Sequence, residues 1–158
     1  MNQAIVGQSR TAAGTINPFR FVQSGVTSPL ADGSTVLLAL QCTGAGVPII
    51  GIASEWTDNI MGTQWQTTLI PQGYPAAAIG DKVGVYLDSS MDTLLMVGSG
   101  FIVEPDDLLI SDASGNAKPF NPKSASSGIN WVGARAIEGG FAGDVIRVQV
   151  YTRAVTIP

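Results

Sequence analysis

Turn-forming residues recur roughly every eight to twelve positions along this chain, and no apolar pattern of helical period between them is long enough for a helix of normal length. That rhythm restricts the chain to many short strands, which close into a sandwich or a barrel. FRFVQ (residues 19–23) alternates as a first strand. TVLLALQC (35–42) is a near-continuous apolar run, and its length and flanking turns favour a buried strand over a helix. Residues 48–54 are apolar, and GDKVGVYLD (80–88) sets Val83, Val85 and Leu87 on one face against Lys82, Tyr86 and Asp88 on the other. Residues 93–104 read as a strand with a bulge at Gly98 or Gly100. LLIS (108–111) is a short strand between the turns EPDD and DASGNA, and KPFNPKSASSG reads as a loop.

Composition agrees. Only 13% of residues are charged, while Gly (19) and Pro (9) are abundant, a balance that suits strands and turns better than helices with wet charged faces. The fold class expected is all-β, a short-stranded β-barrel or tulip/sandwich-like domain with a flexible N-terminal arm and little or no helix. Residues 1–18 are small and polar without a sustained period and are assigned to that arm; residues 19–158 are assigned to a single β domain.

The last segment, WVGARAIEGGFAGDVIRVQVYT, is the best patterned, and it has a looser counterpart upstream. Gly143-Asp144 precedes the alternation Ile146, Val148, Val150; Gly80-Asp81 precedes Val83, Val85, Leu87. Ile50-Gly51-Ile52-Ala53 parallels Val132-Gly133-Ala134-Arg135. This predicts an internal echo of residues 48–88 in residues 131–153. The early copy carries an insertion, residues 56–78, that holds Trp56, Trp65 and Tyr74. Two similar half-buried strands are an equally plain explanation of the likeness.

Chemistry is sparse. The chain has no histidine and one cysteine, which removes Ser-His and Cys-His nucleophiles, His-based zinc sites and the commonest general base. Cys42 sits in an apolar run and reads as a small buried hydrophobe. DASGN places Asp112, Ser114 and Asn116 at alternate positions like a calcium loop, but Ala117 and Lys123 stand where such a loop needs Gly and Glu, so a tight turn is expected. No enzyme, metal, cofactor or small-molecule substrate is expected. A net charge of −4 with no basic run predicts no direct nucleic-acid binding. There is no secretory leader pattern and no apolar run of spanning length, which predicts assembly in a cytosol and no membrane partner.

What remains is contact. The low charge leaves apolar surface that another protein can cover. Candidate interface residues are Ile5, Val6 and Ile16 in the arm, Phe19 at its end, and Trp56, Trp65 and Tyr74 in the insertion, which either anchor a partner or cap the protein's own core. Arg147, Tyr151 and Arg153, with Gln149, line the outward face of the last strand; Arg and Tyr are enriched at interfaces, though an ordinary wet strand face has the same pattern.

The second half also resembles the C-terminal half of small tailed-phage head decoration (cement, or capsid-stabilising) proteins. The matching residues are Asp107, Leu109, Asp112, Ala113, Gly115 and Ala117, then Val132, Gly133, Ala136, Glu138, Ala142, Gly143, Asp144, Arg147 and Val148. PIIGIASE (48–55) is similar to that family's N-terminal half, and the aromatic insertion departs from it. The resemblance implies a non-enzymatic virion protein on the capsid exterior, often trimeric, whose partners are the major capsid protein and further copies of itself. A tail or head-fibre module, or a carbohydrate-binding module using Trp56, Trp65 and Tyr74, are the alternatives.

Overall fold

Fourteen strands and no helix make up the described residues of the computed structural model, which are 7–25, 28–29, 31–32, 35–57, 76–88 and 92–158. In chain order they are β1 (Gly7–Ala12), β2 (Phe21–Ser24), β3 (Ser28–Pro29), β4 (Thr35–Val36), β5 (Leu38–Gln41), β6 (Ile49–Thr57) and β7 (Lys82–Leu87). There follow β8 (Asp92–Met96), β9 (Ile102–Val103), β10 (Leu108–Ser111), β11 (Ala117–Pro119), β12 (Gly128–Ala136), β13 (Gly140–Phe141) and β14 (Val145–Ile157). Strands β1-β5-β2-β6-β7 close a barrel, and β11-β10-β12-β14-β8 form a second five-stranded sheet. Two small ladders, β13-β9 and β3-β4, complete the pairing.

The two five-stranded units carry the same register. In the first, Phe21, Ile52 and Tyr86 stand side by side on β2, β6 and β7, and Gly7 on β1 extends the row. In the second, Leu108, Arg135, Gln149 and Asp92 do the same on β10, β12, β14 and β8. Each unit has a register shift one step along, between Val22 and Gln23 in the first and between Leu109 and Ile110 in the second. The first barrel closes through a parallel contact, Ala12 against Ala39, with the Ala13 N–H donating to the Ala39 carbonyl at 2.9 Å. The second has a single parallel bridge at the matching place, Val97 to Ala117, and the Gly98 N–H donates to the Ala117 carbonyl, again at 2.9 Å. It is a half-barrel, an open five-stranded sheet whose edges meet at that one bridge, termed the second barrel for its correspondence with the first.

This pairing differs by one residue from the correspondence read in the sequence. The downstream strands match as expected, Val83 with Ile146 and Val85 with Val148. Upstream, however, Gly51 faces Leu87 as Ala134 faces Val150, so Ile50 corresponds to Gly133. The two glycines answer different constraints. A Cβ at Gly51 would run into the Tyr86 carbonyl, whereas one at Gly133 would lie 2.5 Å from Phe21 Cε1. Aligning glycine on glycine therefore misplaces the strand.

The interiors correspond as well. Ala12, Ile16, Val22, Ala39, Ala53, Ala77, Val83 and Val85 fill the first barrel. At the matching positions the second has Val97, Val103, Leu109, Ala117, Ala136, Gly140, Ile146 and Val148. Where Ala77 and Val83 share space in one, Gly140 and Ile146 share it in the other, and a Cβ at Gly140 would sit 2.5 Å from Ile146 Cγ2. Volume lost on one strand is regained on its neighbour, as close packing requires.

Tight turns feed the strands in a common way. Gly80 and Gly143 have φ of 90° and 89°, and the next residue, Asp81 or Asp144, accepts the N–H of Ala78 or Phe141 on its carboxylate, both at 2.8 Å. Asp106 and Asp107 repeat the device, with φ of 72° at Asp106 and the Glu104 N–H on Asp107 Oδ2 at 2.9 Å. Each such turn is closed twice, by the backbone and by the acid.

Three expectations need correction. Residues 7–12, assigned to a flexible arm, are the stave β1, paired antiparallel with β7 and parallel with β5, and Ile16 is buried against Ala77. Long-range ladder bonds override the weak local preference of a small polar segment; residues 1–6 lie outside the described residues. The bulge expected at Gly98 or Gly100 is a turn, with the Phe101 N–H on the Gly98 carbonyl and Gly100 at φ 81°. The loop expected over residues 118–128 likewise begins with the end of β11.

The barrels pack through the outside of the first. Phe21, Cys42, Ile49 and Ile52 join the core of the second barrel rather than their own. Backbone bonds cross the junction: Phe21 N–H to the Gly115 carbonyl (2.8 Å), Met96 N–H to the Phe19 carbonyl (3.0 Å) and Trp131 N–H to the Ala45 carbonyl (2.7 Å).

Candidate interaction surface

On β14 the alternation that buries Ile146, Val148 and Val150 turns Arg147, Gln149, Tyr151 and Arg153 the other way. Among the described residues, β14 pairs with β8 as far as Gln149 and beyond it with β12, as far as Gly128 opposite Ile157. Where it leaves β8, the outward side chains border an open groove of about 600 Å³. Its lining is Asp88, Asp106, Leu108, Arg135, Gln149, Val150, Tyr151 and Arg153.

Charged and polar side chains dominate the lining of the groove. Arg135 Nη2 reaches Asp106 Oδ1 at 2.7 Å, with both side chains more than half exposed, so this pair adds little to stability. Arg153 lies over the Tyr151 ring at 5.3 Å and donates from Nη1 to its hydroxyl at 3.3 Å. The Thr152 hydroxyl donates to Asp88 Oδ2 at 3.3 Å on the same rim.

A second exposed feature is apolar. Ile102 and Phe141 are direct cross-strand partners on β9 and β13, 62% and 67% exposed. Nothing in the alternation marks them; the only sequence signal is a Phe beside a Gly-rich turn.

The other groups expected to matter are placed as follows. Tyr151 and Arg153 come together in the groove, and Arg147 is exposed on the same face, its N–H bonded to Glu138 Oε1 at 2.8 Å. Ile16 and Phe19 are buried, which removes both from the accessible surface. Phe19 has a left-handed backbone, φ 59°, at the position that Asp106 holds in the second barrel; each N–H bonds the matching alanine carbonyl, Ala53 or Ala136, at 2.9 Å. Trp56 lies on β6, but its side chain, with Ile5, Val6, Trp65 and Tyr74, falls outside the described residues. Sequence reasoning missed Asp106, Leu108 and Arg135. The internal echo, residues 48–88 in 131–153, contained Arg135 alone of these; Asp106 and Leu108 match Phe19 and Phe21, upstream of it.

The reactive candidates serve structure. Burial pushes the Cys42 thiol up to about 12. Asp112 Oδ1 accepts the N–H groups of Ser114 (2.7 Å) and Asn116 (2.9 Å), and Oδ2 accepts Asn116 Nδ2 at 3.1 Å, so this carboxylate holds a turn. Among the described residues, no group of three or more His, Cys, Asp or Glu side chains is placed to hold a metal ion.

No family model matches the chain, and no curated protein matches it either. Among solved structures it is similar to the N base of the head fibre gp8.5 of bacteriophage phi29. The two are 14% identical, with a TM-score of 0.52 over 92% of this chain and 93% of that one. The chain therefore shares the fold of a phage head-fibre base along nearly its whole length.

Proposed function

We propose that this is a non-enzymatic structural protein of a phage head, which binds the outer surface of the capsid and cements the lattice of major capsid protein, as a trimer. The observation that carries the reading is the fold shared with a head-fibre base over almost the entire chain. The turn and core residues that resemble capsid-stabilising proteins, from Asp107 to Val148, support it independently. A chain without histidine, whose one cysteine is buried, is suited to work by contact rather than by chemistry. The exposed pair Ile102 and Phe141 is the apolar contact best suited to a capsid subunit. On a shell, many modest contacts act together, so each need not be tight.

A second reading, the base of a longer head fibre, is favoured by the same neighbour. Both place the protein on the virion exterior, added during assembly in the host cytoplasm. The test is to mix purified protein with heads that lack it. Cementing predicts co-sedimentation in multiples of three and heads that release DNA only at higher temperature. Binding without any gain in thermal resistance, together with a filament standing on each bound copy, selects the fibre base. Failure to bind heads at micromolar protein refutes both.

A further inference from the structure

The repeated register leaves one face unaccounted for. In the first barrel the row Phe21–Ile52–Tyr86 is apolar, and Phe21 and Ile52 are fully buried under the second barrel. Among the described residues, no second unit packs over the matching row of the second barrel, Leu108–Arg135–Gln149, which lines the groove. At the neighbouring position Asp106 replaces Phe19. The fold does not require polar side chains here, since the same positions in the first barrel are filled by apolar and aromatic ones. What distinguishes the second barrel is that this face is exposed to solvent at Arg135 and Tyr151, with Asp88, Asp106, Arg135, Gln149 and Arg153 set around Leu108.

From this we infer that the groove on β10, β12 and β14 is a binding site for a neutral saccharide. Its volume, about 600 Å³, is within the usual range for small-ligand sites, roughly 300–1,000 Å³. Its charges offset each other: Arg135 and Arg153 stand among Asp88 and Asp106. A phosphate or polyanion meets the two carboxylates, and a cation meets the two guanidinium groups. A hydroxyl, which donates and accepts at once, satisfies both kinds of neighbour. Arg135, held by Asp106 at 2.7 Å, keeps further N–H groups to direct at a ligand, and Gln149 beside it offers both a donor and an acceptor. Leu108 and the Tyr151 ring supply apolar surface for the C–H faces of a sugar. The site does not depend on whether the protein sits on a phage head.

The probes are maltotriose, cellotriose, triacetylchitotriose and a β-1,4-galactotriose, each titrated into the intact protein and followed by saturation-transfer NMR and calorimetry. At least one is expected to bind. Arg135→Ala and Gln149→Ala should each weaken that binding about tenfold or more, with the melting temperature within about a degree or two of the parent, since Arg135 is exposed in a weak ion pair and Gln149 is only half-buried. Lys118→Ala, which lies over Phe101 away from the groove, should bind as the parent does. If none of the four sugars binds at millimolar concentration, or if binding survives both groove substitutions, the assignment is wrong. It is equally wrong if chemical cross-links show the groove covered by a second copy in solution.

Discussion

Gly133→Ala sets local preference against packing, and the two predict opposite signs. Gly133 lies within β12 and is not among the glycines with positive φ, so alanine there needs no unusual backbone. By chain entropy alone the substitution should stabilise by about 0.4–1 kcal/mol. The added Cβ, however, would lie 2.5 Å from Phe21 Cε1, 2.8 Å from Ile49 Cδ1 and 2.9 Å from Phe21 Cδ1. Ordinary carbon contacts begin near 3.5 Å, so the ring must retreat by roughly 1 Å. Phe21 is fully buried between the barrels, where close packing resists such a shift. Overpacking of this kind costs about 1–3 kcal/mol. The net expectation is a loss of about 1–2 kcal/mol, which lowers the melting temperature by about 2–4 °C per kcal/mol for a chain of this size. Thermal and urea unfolding of four proteins decides it: the parent, Gly133→Ala, Phe21→Leu and the double variant. The smaller side chain should absorb the methyl, so the double variant should lose less than the sum of the two singles, by at least about 0.5 kcal/mol. Gly44→Ala, where an added Cβ meets nothing within 4 Å, serves as the control. A Gly133→Ala protein as stable as the parent, or strict additivity in the double variant, would show that the barrel junction is not packed as described.

Other outcomes follow from single features. Asp81→Ala and Asp144→Ala each remove a carboxylate that accepts a turn N–H, and each should cost about 1 kcal/mol, measured as similar shifts in urea midpoint. Gly115→Ala should cost more than 1 kcal/mol, because φ is +77° and the new Cβ would lie 2.9 Å from Gln41 Cγ. Cys42 should resist iodoacetamide at pH 8 in the native protein and react promptly in urea. Its raised folded-state pKa means that only the unfolded chain loses the proton as pH climbs above about 9. Stability should therefore fall through that alkaline range, and Cys42→Ala should flatten the fall. Ile102→Ser with Phe141→Ser should leave the melting temperature within a degree or two, yet weaken retention on heads; unchanged retention would remove this pair from the capsid contact.

Strand identity was legible wherever alternation or an apolar run was bounded by turn residues. LLIS, the run after Gly80-Asp81 and the closing strand all lie where the pattern put them. These signals are local: side-chain period and turn chemistry act within a few residues. The stave β1 was not legible, because GQSRTA has little strand preference of its own and is held by partners on distant β5 and β7. For the same reason Ile16 and Phe19 passed for surface residues. Of the groove, the sequence exposed only the stretch on one strand, Gln149 to Arg153. Asp106, Leu108 and Arg135 reach it from other strands, through a register that no short window contains.

The sequence by itself determined an all-β chain, the inward faces of its strongest strands, its Gly-Asp turns and the poverty of its chemistry. Each of these is written in spacings of a few residues. Only the tertiary structure decided that the echo is a matched pair of barrels, displaced by one residue from the glycine alignment. It also decided that the face covered by a neighbour in the first barrel stands open in the second. That difference depends on which barrel lies over which, and such contacts join residues far apart in the chain.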